Sequence, residues 1–92
     1  MAQKFWKQAS PRHGFVFDEV PTVRGSMYGG SIVKHYPECY GPILDCVFEM
    51  TDDIATSNGV THDAAIGQVL KDEGWRVLPK HRRQIIERLA AM

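Results

Sequence analysis

From Gly41 to Gly74 the apolar residues recur at helical spacing, whereas before Gly41 they alternate or scatter. Ile43, Val47, Met50 and Ile54 follow at steps of four, three and four, and Leu44 and Phe48 widen the stripe. This spacing predicts an amphipathic helix. Pro42 suits its first position, where the fixed φ helps and the missing N–H costs nothing. Asn58-Gly59 supplies the left-handed backbone that ends a helix. Thr61 then caps a second helix with apolar positions Ala65, Ile66, Val69 and Leu70, and Gly74 closes it. Trp75 to Leu78 reads as a short extended piece. Pro79 opens a third helix whose buried stripe is Ile85, Ile86 and Leu89.

The N-terminal part reads differently. Residues 2–9, AQKFWKQA, form a short helix or an arm that Ser10-Pro11 interrupts. Residues 14–20, GFVFDEV, place Phe15 and Phe17 on one side of a strand and Val16 and Asp18 on the other. Pro21 stops that strand or confines it to an edge. Residues 22–36 carry β-branched residues either side of a Gly-rich turn, which predicts a β-hairpin, with a short helix over 31–36 as the alternative. The expectation is a single small α+β domain. An N-terminal β-hairpin or extended arm occupies residues 1–41, with any hairpin within 14–36, and three short helices fill residues 42–92.

Composition adds little to that picture. With 92 residues, 43% hydrophobic and 24% charged, the chain has the balance of one small globular domain. No apolar run approaches a membrane span and no secretory leader is evident, so a cytoplasmic protein without membrane contact is expected. Charge is more informative. The net charge is zero, but residues 1–41 carry five positive and three negative charges, a net of +2. Residues 42–73 carry one positive and seven negative, a net of −6, and residues 74–92 carry five positive and one negative, a net of +4. An acidic helix pair is followed by a basic tail. Asp72 and Glu73 fall in the last turn of the second helix. Lys80, His81, Arg82 and Arg83 fall in the first turns of the third, so both groups oppose the helix dipole. Either the two groups pair with each other, or Arg76, Lys80, Arg82 and Arg83 are held for an external anion.

Catalytic chemistry is hard to find. His13, His35, His62 and His81 are scattered, with no nucleophile motif beside them. The stretch RGSMYGGS lacks the spacing of either a phosphate loop or a dinucleotide fingerprint. Its glycines permit a tight turn. His35, Cys39 and Cys46 give H-x3-C-x6-C, an uncommon zinc spacing without a fourth ligand. Two reduced thiols, no metal, no cofactor and no enzymatic activity are expected.

Residues 54–61, IATSNGVT, resemble the centre of a helix-turn-helix, with Ala55 where the helices cross, Gly59 in the turn, then Val60 and the cap Thr61. The resemblance implies a DNA-binding regulator using residues 43–76 with the basic C-terminal region. Departures are Asn58 and Gln68 at positions usually apolar, and a recognition helix offering His62, Asp63, Gln68 and Lys71 but no arginine. In size and lack of catalytic motifs the chain also looks like the small inhibitors and adaptors of phages and mobile elements. That likeness implies an accessory protein that binds and modulates a protein or protein–nucleic-acid partner, with nucleic-acid mimicry by the acidic pair as one form of it. On this reading Asp45, Glu49, Asp52 and Asp53, on the polar side of the first helix, contact the partner. Trp6, Tyr28, Tyr36 and Tyr40 are the aromatic anchors.

Overall fold

The computed structural model describes residues 7–21 and 37–92. It is a small, mostly helical α+β domain: a two-stranded antiparallel hairpin, β1 (Gln8–Ala9) and β2 (Val16–Phe17), followed by three helices. A 3-10 turn, Pro37–Cys39, leads into α1 (Tyr40–Asn58), and α2 (His62–Glu73) and α3 (Pro79–Ala90) complete it. No helix among the described residues is long and apolar enough to cross a membrane.

Helix ends follow the sequence punctuation. Gly59 ends α1 at φ 66°, and its N–H donates to the Ala55 carbonyl. The Thr61 side chain accepts from the Ala64 N–H and caps α2, which Gly74 ends at φ 69°. Glycine takes that left-handed backbone without the Cβ clash other residues meet. Pro79 stands in the first turn of α3. The start of α1 lies earlier than expected, at Tyr40, so Pro42 sits third in the helix. It remains tolerated because first-turn N–H groups have no helical partner in any case.

The described strands form a hairpin ahead of residues 22–36. β2 pairs with Gln8–Ala9, in register Gln8 with Phe17 and Ala9 with Val16. Residues 8–9 are therefore strand, and Ser10–Gly14 is the turn rather than a break between separate elements. The Ser10 N–H donates to the Phe15 carbonyl, the Gly14 N–H to the Ser10 carbonyl, and the Phe15 N–H to the Ser10 hydroxyl. Gly14 closes the turn at φ 71°. The turn and hairpin expected in residues 22–36, and the start of the expected arm, lie outside the described residues.

One apolar cluster joins all these elements. Phe15 and Phe17 of the hairpin meet Tyr40, Leu44, Val47 and Phe48 of α1, Ile66 and Val69 of α2, and Ile85 and Leu89 of α3. The alternation read for residues 15–18 holds: Phe15 and Phe17 are buried, while Val16 and Asp18 face solvent. α1 packs against both other helices, and those two touch each other.

Candidate functional site

Helical geometry puts Gly41, Asp45 and Glu49 on one stripe of α1, four residues apart, and continues that stripe to Asp52 and Asp53. The hairpin turn lies on the first half of it. At Gly41 the fit is close enough that a Cβ would stand 3.2 Å from the Ser10 Cα, so a larger residue would push the turn away. One turn later, Asp45 accepts from two consecutive backbone N–H groups: Arg12 to Oδ2 at 2.8 Å and His13 to Oδ1 at 3.1 Å. Glu49 then takes the Arg12 guanidinium at 3.1 Å on Oε1 and the His13 Nε2 at 2.8 Å on Oε2. The His13 ring packs at a tilt against Phe48, with centroids 4.5 Å apart, and the His13 carbonyl accepts from Arg88 of α3. The Arg88 guanidinium lies 4.1 Å over the Phe15 ring, a cation–π contact that ties α3 to the same turn.

This arrangement corrects two readings of the sequence. Asp45 is not on an open polar face: it is fully buried, and its charge is matched by the two N–H dipoles it accepts from. Glu49 is partly exposed but already occupied by Arg12 and His13. Asp52 is partly exposed and Asp53 exposed, and neither has an ion-pair partner among the described residues. Tyr40, expected as a surface anchor, is buried. Trp6, Tyr28 and Tyr36 lie outside the described residues.

The basic residues divide in the same way. Lys80 pairs with Glu19 at 2.7 Å and Asp18 at 3.4 Å, and these carboxylates hold its ammonium above the ordinary lysine range. Arg82 reaches Asp63 in the first turn of α2, at 3.5 Å to the carboxylate and 3.4 Å to the carbonyl. The expected pairing with Asp72 and Glu73 does not occur. The acidic residues that answer the start of α3 come from the segment after β2 and from the opposite end of α2. Arg76 and Arg83 are exposed, without a carboxylate partner among the described residues. Arg83 borders an open groove of about 310 Å³ shared with Asp63, Pro79, Arg82, Ile86 and Glu87.

A second polar cluster is internal, and the sequence offers little signal for it. The Tyr40 hydroxyl accepts from the Leu78 N–H at 3.0 Å and lies 2.7 Å from His81 Nδ1. Tyr40 packs edge-on to Phe17 at 5.1 Å. Burial holds the His81 imidazole below the ordinary histidine range, Lys80 acts in the same direction, and Glu19 and Asp18 oppose them. The same desolvation raises the Tyr40 phenol well above its usual value. A neutral His81 accepting the phenolic proton at Nδ1 uses both capacities of the hydroxyl, one as acceptor and one as donor.

Cys39 and Cys46 are free and partly buried. Seven helical residues span roughly 10 Å, beyond the reach of about 7 Å that a disulfide allows. Among the described residues no three His, Cys, Asp or Glu side chains come together as a metal site. No protein-family model, curated protein or solved structure matches the chain.

Proposed function

We propose that the chain is a small non-enzymatic accessory protein that binds and modulates a basic macromolecular partner through the open half of the α1 acidic stripe. The observation that carries this reading is the continuity of the stripe past the point where the hairpin covers it. Asp45 and Glu49 hold a segment of this chain that offers backbone N–H groups, an arginine and a histidine. Asp52, partly exposed, and Asp53, exposed, present the same chemistry further along, with no ion-pair partner among the described residues. α1 contains no Lys or Arg to neutralise them. A protein segment bearing Arg or Lys, the complement of this patch, is the partner class it fits. Inhibition or mimicry of a nucleic acid is one way such a patch acts, since a basic nucleic-acid-binding surface has the same complement.

The alternative, a DNA reader built on α1, α2 and the basic C-terminal region, has a weaker basis. α2 would enter the groove with Asp63, Gln68 and Lys71, and two of the four basic residues meant for phosphate, Lys80 and Arg82, are already held by carboxylates.

Affinity capture from the native cell, with and without nuclease, separates the two. A nuclease-resistant partner is expected, lost when Asp52 and Asp53 are both changed to Lys and retained when Arg76 and Arg83 are changed to Glu. Nuclease-sensitive capture that depends on the arginines would establish the alternative instead.

A further inference from the structure

The Tyr40–His81 pair joins three parts of the fold. Tyr40 opens α1, His81 stands in the first turn of α3, and Leu78 is the last residue of the connection from α2. We propose that this pair is an acid-weakened latch: protonating His81 loosens the start of α3 and the preceding connection from α1 while the α1–α2 pair stays folded.

The Tyr40 hydroxyl has one proton to give and already receives one from Leu78. With His81 neutral, that proton goes to Nδ1. With His81 protonated, Nδ1 carries its own proton, and the buried phenol faces two donors while its own proton lacks an acceptor. The new charge also appears in the first turn of α3, at the positive end of the helix dipole.

The surroundings give only partial compensation. From α1 the facing group is Tyr40, and from β2 it is the uncharged Phe17 ring at 6.2 Å. From the segment after β2, Asp18 and Glu19 favour the protonated form, but both are held by Lys80, which disfavours it. His81 is 2% exposed, so solvent cannot accept the misplaced proton without local opening.

Amide hydrogen exchange of the intact protein at pH 7 and pH 5, corrected for intrinsic rates, tests this. The Leu78 N–H, whose acceptor is the Tyr40 hydroxyl, should lose protection by about tenfold at pH 5, while Val47 and Phe48 in α1 keep theirs. The His81→Asn variant keeps an acceptor near the Nδ1 position but does not titrate, so its Leu78 protection should be the same at both pH values. His13→Asn and His62→Asn should leave the wild-type response in place. Equal loss of protection across α1 and Leu78 would mean general acid unfolding and overturn the latch. So would a wild-type Leu78 amide whose protection does not change. Should His81→Asn fail to fold, the wild-type comparison of Leu78 with Val47 decides by itself.

Discussion

The two halves of the α1 acidic stripe contain the same chemistry and do opposite things. Asp45 and Glu49 face inward onto the hairpin turn, where one carboxylate gathers two backbone N–H groups and the other an arginine and a histidine. Asp52, partly exposed, and Asp53, exposed, follow one to two turns later with no counter-charge among the described residues. The difference comes from where the N-terminal hairpin ends its path along the helix, not from the residues themselves. A carboxylate on the polar side of an amphipathic helix is a surface group only where no other segment crosses it.

The largest way to break the inward half is to remove the aromatic body that seats the turn. Phe15 is buried against Phe48 and under Arg88. Phe15→Ala should cost about 3–5 kcal/mol, read as a shift of the urea midpoint, by transfer loss plus cavity. The internal Tyr40 cluster comes next. Tyr40→Phe strands the Leu78 N–H and should cost about 1–3 kcal/mol.

The cluster also sets a pH dependence. Because the folded state holds His81 below its unfolded value of 6.5, its contribution to stability is complete above that value. It falls as pH drops below 6.5, since the unfolded chain takes up the proton first. Urea midpoints between pH 7.5 and 5 should decline in the wild type and flatten in His81→Asn.

Smaller effects sharpen the comparison. Thr61→Ala removes the α2 cap and should cost about 1 kcal/mol by the same measurement. Arg12→Ala removes one exposed ion pair from Glu49 and should cost about 0.5 kcal/mol or less, because the Arg12 backbone N–H still reaches Asp45. Thr51→Val has the opposite sign. Among the described residues the Thr51 hydroxyl is buried without a partner, so replacing it should raise the melting temperature slightly or leave it unchanged. On α1 the buried Asp45 carboxylate has hydrogen-bond partners, and the buried Thr51 hydroxyl has none among the described residues.

Much of the helical frame was legible because its boundaries are local. Gly59, Thr61, Gly74 and Pro79 each act within a turn of where they stand, and the structure uses all four as the sequence implies. Hairpin pairing was not legible in the same way. Gln8-Ala9 is too short to show alternation, and nothing local distinguishes it from an arm. The burial of Asp45 and Tyr40 depends on contacts 32 to 41 residues away, to the hairpin and to α3. One hint was present: a glycine at position 41, one turn before Asp45 on the same stripe, marks a close backbone approach. Gly41, Asp45 and Glu49 together describe a seat for a turn, which the hydrophobic pattern alone does not reveal.

The most direct test of the split is an isosteric pair of substitutions compared in one melting experiment at neutral pH. Asp45→Asn keeps the shape but replaces one acceptor oxygen with an amide that faces a backbone N–H. It should lower stability by about 2 kcal/mol, or roughly 8–16 °C in a domain of this size. Asp53→Asn should leave the melting temperature within about 2 °C, because an exposed carboxylate without a partner contributes little. Equal shifts for the two variants, or a larger one for Asp53→Asn, would contradict the division of the stripe into a structural half and an open half.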